Sequence, residues 1–259
     1  MKYYLSIAIA VIVILSLRTT VVRAEESATS EIYRIGIFRV TPSAEQSQLA
    51  DTLEHIASLA PLPIDIEILR PDKYTDGPDR QKAVIPPDFY TTRQALESLK
   101  ATSGAGINSE VSANGVRLTV GAIDENSNIL NAKVGKDCRV RGNMADVIRW
   151  LQDNVPGFSV EHGLSGMDRS TQALDLVIAP SMTVRDVLTA ACRLTESRWT
   201  AEVYEKRVTK NWSYVDSNGV KRDLGPIRSP AAKISVNTKI VRKRDFVMKI
   251  GDVQEQPAE

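Results

Sequence analysis

Histidine and cysteine, the side chains on which many catalytic and metal sites depend, are scarce in this sequence. It contains two histidines and two cysteines in 259 residues. No cysteine and histidine stand at the spacing of a zinc site. Neither Gly-x-x-x-x-Gly-Lys nor Gly-x-Gly-x-x-Gly occurs, so the sequence offers no phosphate-binding loop. We therefore expect neither a metal nor a cofactor.

A serine nucleophile is not indicated either. Ser165 lies in the stretch HGLSGMD, but Gly166 follows it directly and no helix is predicted next, so the nucleophile-elbow pattern is not met. His162 follows Glu161 on a predicted strand, where neighbouring side chains point to opposite faces and cannot form a dyad. A plain polar turn explains the serine.

Two carboxylates and the other histidine complete the search for catalytic groups. Asp65 and Glu67 alternate on one face of a predicted strand, and we interpret them as a solvated face. His55 stands at the edge of an apolar helix face, which is typical of a surface histidine. We expect no enzymatic activity. The alternative is a secreted hydrolase that assembles its site around His55 or His162.

The first 24 residues have the pattern of a secretory signal peptide. Lys2 precedes the apolar segment Leu5–Leu17, which is shorter than the about 20 residues needed to cross a bilayer. Ala24 supplies a small residue before the expected cleavage point. We predict export, and hence a periplasmic or secreted protein. The alternative is that the segment stays attached as an anchor.

Charge is distributed unevenly along a chain whose net charge is only +1. Residues 25–135 carry 10 basic and 16 acidic side chains, residues 136–199 carry 8 of each, and residues 200–259 carry 12 basic and 8 acidic ones. The small net charge and the predicted export argue against a nucleic-acid partner. The step from acidic to basic indicates at least two units.

We predict an α+β protein built of two small α/β-sandwich units. The first spans residues 31–134 and the second residues 135–212. Residues 213–259 are expected to form a C-terminal hairpin or strand and a disordered tail.

The first unit is predicted from alternation, helical periodicity and turn signals. Thr91 and Gln94 match a capping box, and Asn114-Gly115 between two alternating runs indicates a hairpin. The predicted elements are a strand over 32–40 that buries Ile35, Ile37 and Val40, a helix that opens at Thr41-Pro42, a strand over 64–69, a proline-rich loop over 70–89, a helix over 91–104, and a hairpin.

The second unit is predicted to have the order β-α-β-β-α-β. Asn143 is a suitable N-cap for a helix whose apolar stripe is Met144, Val147, Ile148 and Leu151. The other predicted elements are strands in DCRVRG, GFSVEHGL, ALDLVIAP and RWTAEVYEKRVTKNW, and a second helix with Val184, Val187, Leu188, Ala191, Cys192 and Leu194 on its apolar face.

From Cys138 to about Thr209 the chain resembles the short N-terminal domain of secretins and of signal-transducing TonB-dependent receptors. The resemblance rests on Val140, MADVIRWL, Gly157, FSVEHGL, ALDLVI, SMTVRDVLTAAC and WTAEVY. These form a pattern of apolar positions and turns rather than a set of reactive residues. Little follows the match here, so we expect neither a secretin pore nor a receptor. The resemblance implies a docking domain in the cell envelope.

The expected partner is an envelope protein, a secretin-like or TonB-linked component of a transport, secretion or pilus-like assembly. We predict that four exposed side chains contact it: Arg149, Trp150, Arg185 and Arg198. The alternative is a structural envelope protein without a specific ligand.

A basic cluster over residues 239–244 is a second candidate contact. Arg242, Lys243 and Arg244 suit an acidic partner or anionic lipid headgroups at a membrane surface. The simpler interpretation is a solvated strand edge, where basic residues prevent unwanted strand pairing.

The two cysteines allow one disulfide in an exported protein. We favour two buried thiols that pack as small apolar side chains, and Cys138 joined to Cys192 is the alternative.

Overall fold

The structure is a computed structural model. It describes residues 27–34, 36–40, 48–162, 172–215 and 220–237. Within these residues the chain forms five α-helices and twelve strands, and the predicted α+β class is confirmed. No helix in the described ranges is long and apolar enough to span a membrane.

The elements are as follows. The helices are α1 (27–34), α2 (Leu49–Leu59), α3 (Thr92–Ser103), α4 (Met144–Asn154) and α5 (Val184–Leu194). The strands are β1 (Ile37–Arg39), β2 (Ile64–Asp72), β3 (Phe89–Thr91), β4 (Ile107–Ser112), β5 (Gly115–Val120), β6 (Cys138–Gly142), β7 (Val160–His162), β8 (Leu174–Ile178), β9 (Arg198–Lys206), β10 (Thr209–Val215), β11 (Lys221–Arg228) and β12 (Ala232–Asn237).

One six-stranded sheet runs through both predicted units, in the order β4-β5-β2-β9-β12-β7. β2 lies in its interior and pairs in parallel with β5 on one side and with β9 on the other. The two expected units therefore share a sheet instead of each having its own. β12 lies between β9 and β7, so part of the expected C-terminal region is integral to this sheet rather than a segment apart.

The sheet has a hydrophobic core on each face. Ile64, Ile66 and Ile68 of β2 pack with α2 and α3 on one face. Trp199, Ala201 and Val203 of β9 pack with α4 and α5 on the other. Successive side chains of a strand point to opposite faces, so an interior strand covered on both faces is buried along most of its length.

A second, two-stranded sheet covers the outer side of α4 and α5. β6 and β8 pair antiparallel, from Cys138 opposite Ile178 to Gly142 opposite Leu174. α5 contacts β8 on one side and β9 on the other, so it lies between this sheet and the main one. We call the pair of strands the β6–β8 ladder.

Several local predictions are confirmed. Asn143 caps α4 and forms a capping box with Asp146, and the predicted stripe of α4 is fully buried. Thr91 and Gln94 form the predicted capping box of α3. β4 and β5 form the predicted hairpin around Asn114 and Gly115.

Other predictions near the first strand and the second helix are wrong. Residues 27–34 are helical, and the strand expected from residue 32 is reduced to β1. Ile37 is exposed because β1 turns Phe38 inward and its two neighbours outward. Leu194 is also exposed, since α5 ends there and the chain turns at Glu196, whose φ is +48°. Ile35 and Thr41-Pro42 lie outside the described residues.

The two cysteines are free. Cys192 is buried in the core, as the preferred interpretation expected, whereas Cys138 is only half-buried against it.

Candidate functional site

Two carboxylates of β2 form buried ion pairs with α5. Asp65 and Glu67 alternate with the isoleucines of β2 and therefore face the helix, where Arg193 and Arg185 meet them. The prediction that these carboxylates form a solvated face is wrong, since 3% of Asp65 and 1% of Glu67 is exposed. We call these two ion pairs the ionic seam. Asp65 and Arg193 are 128 positions apart in the sequence, and Glu67 and Arg185 are 118 apart, so the pairs join distant parts of the chain.

Glu67 is held in a bidentate pair. Arg185 donates from Nε to Oε1 and from Nη2 to Oε2, the latter over 2.9 Å. The third nitrogen of the guanidinium donates to the side-chain carbonyl of Asn131. Arg117 adds a more distant cation, with its Nε 3.9 Å from Oε1. The planar fork of arginine suits this two-bond geometry and fixes the position of α5 along β2.

Asp65 is satisfied from three directions. Arg193 Nη2 donates to Oδ2 over 2.6 Å, the backbone N–H of Trp199 donates to Oδ1 over 3.3 Å, and Thr189 Oγ1 donates to Oδ2 over 3.4 Å. Burial raises the pKa of Asp65 above its usual range, and the adjacent Arg193 acts against that shift. These contacts give the buried carboxylate partners that water would otherwise supply.

Arg198 crosses to the other face of the sheet and joins β9 to α2. Its Nη2 lies 2.6 Å from a carboxylate oxygen of Glu54, and 5% of the arginine side chain is exposed. The Glu54 carboxylate also accepts hydrogen bonds from Thr200 and Asn237. Ion pairs therefore lie on both faces of the sheet where the two units meet.

A cleft of about 220 Å³ opens beside the Glu67–Arg185 pair. Three of its four charged side chains are paired: Glu67 with Arg185, and Arg117 with Glu110. The lining residues are Glu67, Leu69, Arg117, Thr119, Ile123, Glu125, Asn128, Asn131 and Arg185. The cleft thus exposes one end of the ionic seam to solvent.

The four residues predicted to contact a partner differ in their exposure. Arg185 and Arg198 are not exposed, because their guanidiniums are committed to Glu67 and Glu54. Trp150 is half-buried and packs against the core, so the prediction that its ring is exposed is wrong. Arg149 is exposed as predicted. Its Nη1 lies 3.4 Å from Oδ1 of Asp146, one turn earlier in α4.

The basic cluster at 239–244 lies outside the described residues, and with it Arg242, Lys243 and Arg244.

The outer face of the β6–β8 ladder is an exposed surface that the sequence reasoning missed. Arg139 forms two hydrogen bonds of 2.6 Å with Asp175, and Arg141 lies 3.4 Å from the same carboxylate. The hydrogen bonds from Arg139 hold the pKa of Asp175 below its usual range. Val177, beside them, is 67% exposed. Strict alternation in β8 was the available signal, since every second residue of LDLVI had to face outward.

Metal ligands and the two histidines were the remaining candidates for a site. No group of three or more His, Cys, Asp or Glu side chains that could hold a metal ion occurs among them. His55 does not line the cleft, and its Nε2 is buried without a hydrogen-bond partner. Ser165 and the side chain of His162 lie outside what the structure describes.

Comparison with known proteins adds no assignment. No protein-family model, curated protein or solved structure matches the chain.

Proposed function

We propose that this chain is an exported, non-enzymatic adaptor that docks to a protein of an envelope transport, secretion or pilus-like assembly. The N-terminal sequence supports export, and the order of elements over β6–β9 is that of the secretin and TonB-receptor domain it resembles. The chemistry favours docking over catalysis because the buried charges among the described residues are paired within the fold.

The observation that carries the proposal is the β6–β8 ladder. It contains two strands only, so within the described residues each strand has one edge without a partner. Such an edge presents unpaired N–H and C=O groups to which another chain can add a strand. Its inner face is fixed on α4 and α5, so the ladder can offer the edge without reorganising the core.

The outer face of the ladder adds selectivity. Val177 supplies an exposed apolar side chain directly opposite Arg139, and the side chain of Arg141, two residues further along the same strand, is 70% exposed. An apolar contact surrounded by charge is the usual composition of a small docking surface. We therefore place the partner on the outer face and free edge of the ladder.

Site-specific photo-crosslinking in the cells that produce the protein tests this placement. A crosslinking amino acid is introduced at Val177 or Arg141, and in a control at Glu97, which is exposed on α3 across the main sheet. We expect one discrete adduct from both ladder positions, in the envelope fraction, with the partner identified by mass spectrometry. The control position should give none.

A ladder variant provides the matched control for specificity. Arg139→Glu with Arg141→Glu reverses charge on the outer face without altering a buried side chain, and it should abolish the adduct from Val177. Equal adducts from the ladder and from α3, or a protein that stays in the cytoplasmic fraction, would show the proposed function to be wrong.

A further inference from the structure

β6 is the strand that gives the β6–β8 ladder its positive charge. It places Arg139 and Arg141 on the outer face, where β8 places Asp175 and Val177. Two arginines therefore meet one carboxylate, and the residues of the two strands together carry a net charge of +1. The surplus cation lies on β6, so the charge of the outer face is not shared evenly between the strands.

Asp175 satisfies one of these arginines better than the other. Arg139 donates to both carboxylate oxygens over 2.6 Å, whereas Arg141 Nε lies 3.4 Å from Oδ2. The side chain of Arg141 is 70% exposed. Asp137, the residue before β6, forms no ion pair with either arginine within the described ranges. A guanidinium has five N–H donors, so Arg141 keeps most of its donors for an external carboxylate.

The position of β6 is fixed at both of its ends. Before the strand, the backbone N–H of Gly135 donates to the carbonyl of Pro180 over 3.2 Å. Directly after the strand, Asn143 caps α4. Between these two points Val140 is buried in the core. A strand that is already ordered loses little conformational entropy when another segment pairs with it.

The edge of β6 away from β8 has no strand partner within the described residues. Alternate residues of a strand direct N–H and C=O groups to each edge, and these groups can pair with an extended segment. A segment added at this edge places side chains beside Arg139 and Arg141, whereas one added at the edge of β8 places them beside Asp175 and Val177. Opposite charges across paired strands attract and like charges repel, so carboxylates suit the edge of β6 and not that of β8.

A second copy of this chain does not suit the same edge. Antiparallel pairing of two β6 strands about Val140 would place Arg139 of one copy opposite Arg141 of the other. Pairing centred on either arginine would place that arginine opposite the same arginine of the second copy. Like charges directly opposite each other destabilise a pair of strands. The edge therefore favours a different chain, and one that carries negative charge.

We propose that the partner contributes an extended acidic segment, which pairs with the free edge of β6 as a third strand of the ladder. Carboxylates at alternate positions of this segment lie beside Arg139 and Arg141. The inference rests on the proposed function and names the chemistry of its partner. A lipid or nucleic-acid surface offers anionic groups but no extended peptide backbone, so neither accounts for both the charge and the edge of β6.

Fluorescence anisotropy with the full chain and synthetic peptides tests this chemistry. The probe is a labelled, end-capped peptide of strand length in which Glu and Val alternate, and a control peptide has Lys in place of Glu. A third peptide has the acidic sequence on an N-methylated backbone, which keeps the charge but cannot donate the hydrogen bonds of a strand. We expect saturable binding of the acidic peptide and of neither control, with an affinity that falls as salt is raised.

Amide hydrogen exchange measured by mass spectrometry locates the bound peptide. Strand addition gives the edge N–H groups of β6 hydrogen-bond partners, so exchange over Cys138–Gly142 should slow when the acidic peptide binds. β4 is the matched control, because it is an edge strand of the main sheet among the described strands and carries Glu110 but no cation. Exchange over Ile107–Ser112 should not change.

Charge substitutions on the ladder should change the affinity in opposite directions. Arg141→Gln should weaken binding of the acidic peptide about 2- to 5-fold, and Arg139→Gln with Arg141→Gln should weaken it about 10-fold or more. Asp175→Asn removes the competing carboxylate and should strengthen binding about 2- to 5-fold. Arg93→Gln removes an exposed cation from α3 and is the matched control, with no expected change. All four side chains are exposed, so the thermal unfolding midpoints of the variants should stay close to that of the unsubstituted protein.

Several results would overturn the inference: no binding of the acidic peptide, equal binding of the basic or N-methylated peptide, or protection over Ile107–Ser112 in place of Cys138–Gly142. Self-association of the protein that competes with the acidic peptide would overturn it too, because a second copy would then occupy the edge. The peptides measure the edge in vitro, whereas the crosslinks measure docking in the cell. A discrete envelope adduct from Val177 without peptide binding would reject the acidic strand and leave the proposed function standing, and peptide binding without an adduct would reject the adaptor function.

Discussion

Glu67→Gln tests whether the ionic seam stabilises the fold. The substitution keeps the size of the side chain and removes its charge, while Arg185 and Arg117 stay in place. Arg185 is 16% exposed in its side chain and would then be left as a largely buried cation facing a neutral amide. The bidentate contact that positions α5 on β2 is lost with the charge.

The expected cost is large because one member of a buried pair is removed. Breaking such a pair destabilises a protein by about 3 kcal/mol or more, since the remaining charge is buried without compensation. For a chain of this length, that loss lowers the thermal midpoint by about 6 to 12 °C. Replacing both partners, as in Glu67→Leu with Arg185→Leu, should restore most of the stability.

Urea unfolding followed by far-ultraviolet circular dichroism measures this difference. The matched control is Glu97→Gln, which removes the same charge from an i,i+4 pair with Arg93 whose side chains are 58% and 55% exposed. The control should lose about 0.5 kcal/mol or less. If Glu67→Gln lowers the free energy of unfolding no more than Glu97→Gln does, the ionic seam does not stabilise the packing of α5 on β2, and the prediction is wrong.

Three further predictions concern single residues. Gly115→Ala should cost about 1 to 3 kcal/mol in urea unfolding, because its φ is +119° and the added carbon would lie 2.4 Å from the carbonyl oxygen of Pro63; an unchanged midpoint would contradict this. Asn143→Ala should lower the free energy of unfolding by about 1 kcal/mol, because α4 loses its N-cap. Asn143→Asp can still cap the helix and should keep most of that stability. Burial raises the pKa of Cys192 from 9.0 to about 12, so the native thiol keeps its proton while the unfolded one loses it. This thiol should therefore make the free energy of unfolding fall as pH rises from 9 towards 12, and Cys192→Ala should make the fall less steep by the contribution of the thiol.

Elements whose determinants are local could be predicted from the sequence. For α4, Asn143 supplies the cap and the apolar residues recur at helical spacing, so ten or so consecutive residues contain the whole signal. The hairpin at Asn114 and Gly115 is similar, because the turn residues themselves fix the pairing. In both cases no distant contact was needed to determine the result.

The ionic seam could not be predicted in the same way. IDIEIL alternates as a half-buried strand does, and only the position of β2 inside the sheet makes both of its faces internal. Asp65 and Glu67 find their arginines more than 100 residues away, on a helix whose exposed side was inferred from periodicity alone. Carboxylates are rarely buried unless they are paired. Because neither arginine partner could be recognised in the sequence, the two carboxylates were predicted to be exposed.

The pairing of β2 with β9 limits the order in which the sheet can form during synthesis. β12 contributes the strand between β9 and β7, and β9 in turn supplies the neighbour of β2. The edge of β2 that pairs with β9 therefore stays unpaired until more than 100 later residues have been synthesised. At a synthesis rate of about 5 to 20 residues per second, this edge stays unpaired for roughly 6 to 25 s after it emerges. That interval gives a chaperone or an export factor time to bind the nascent chain before the sheet closes.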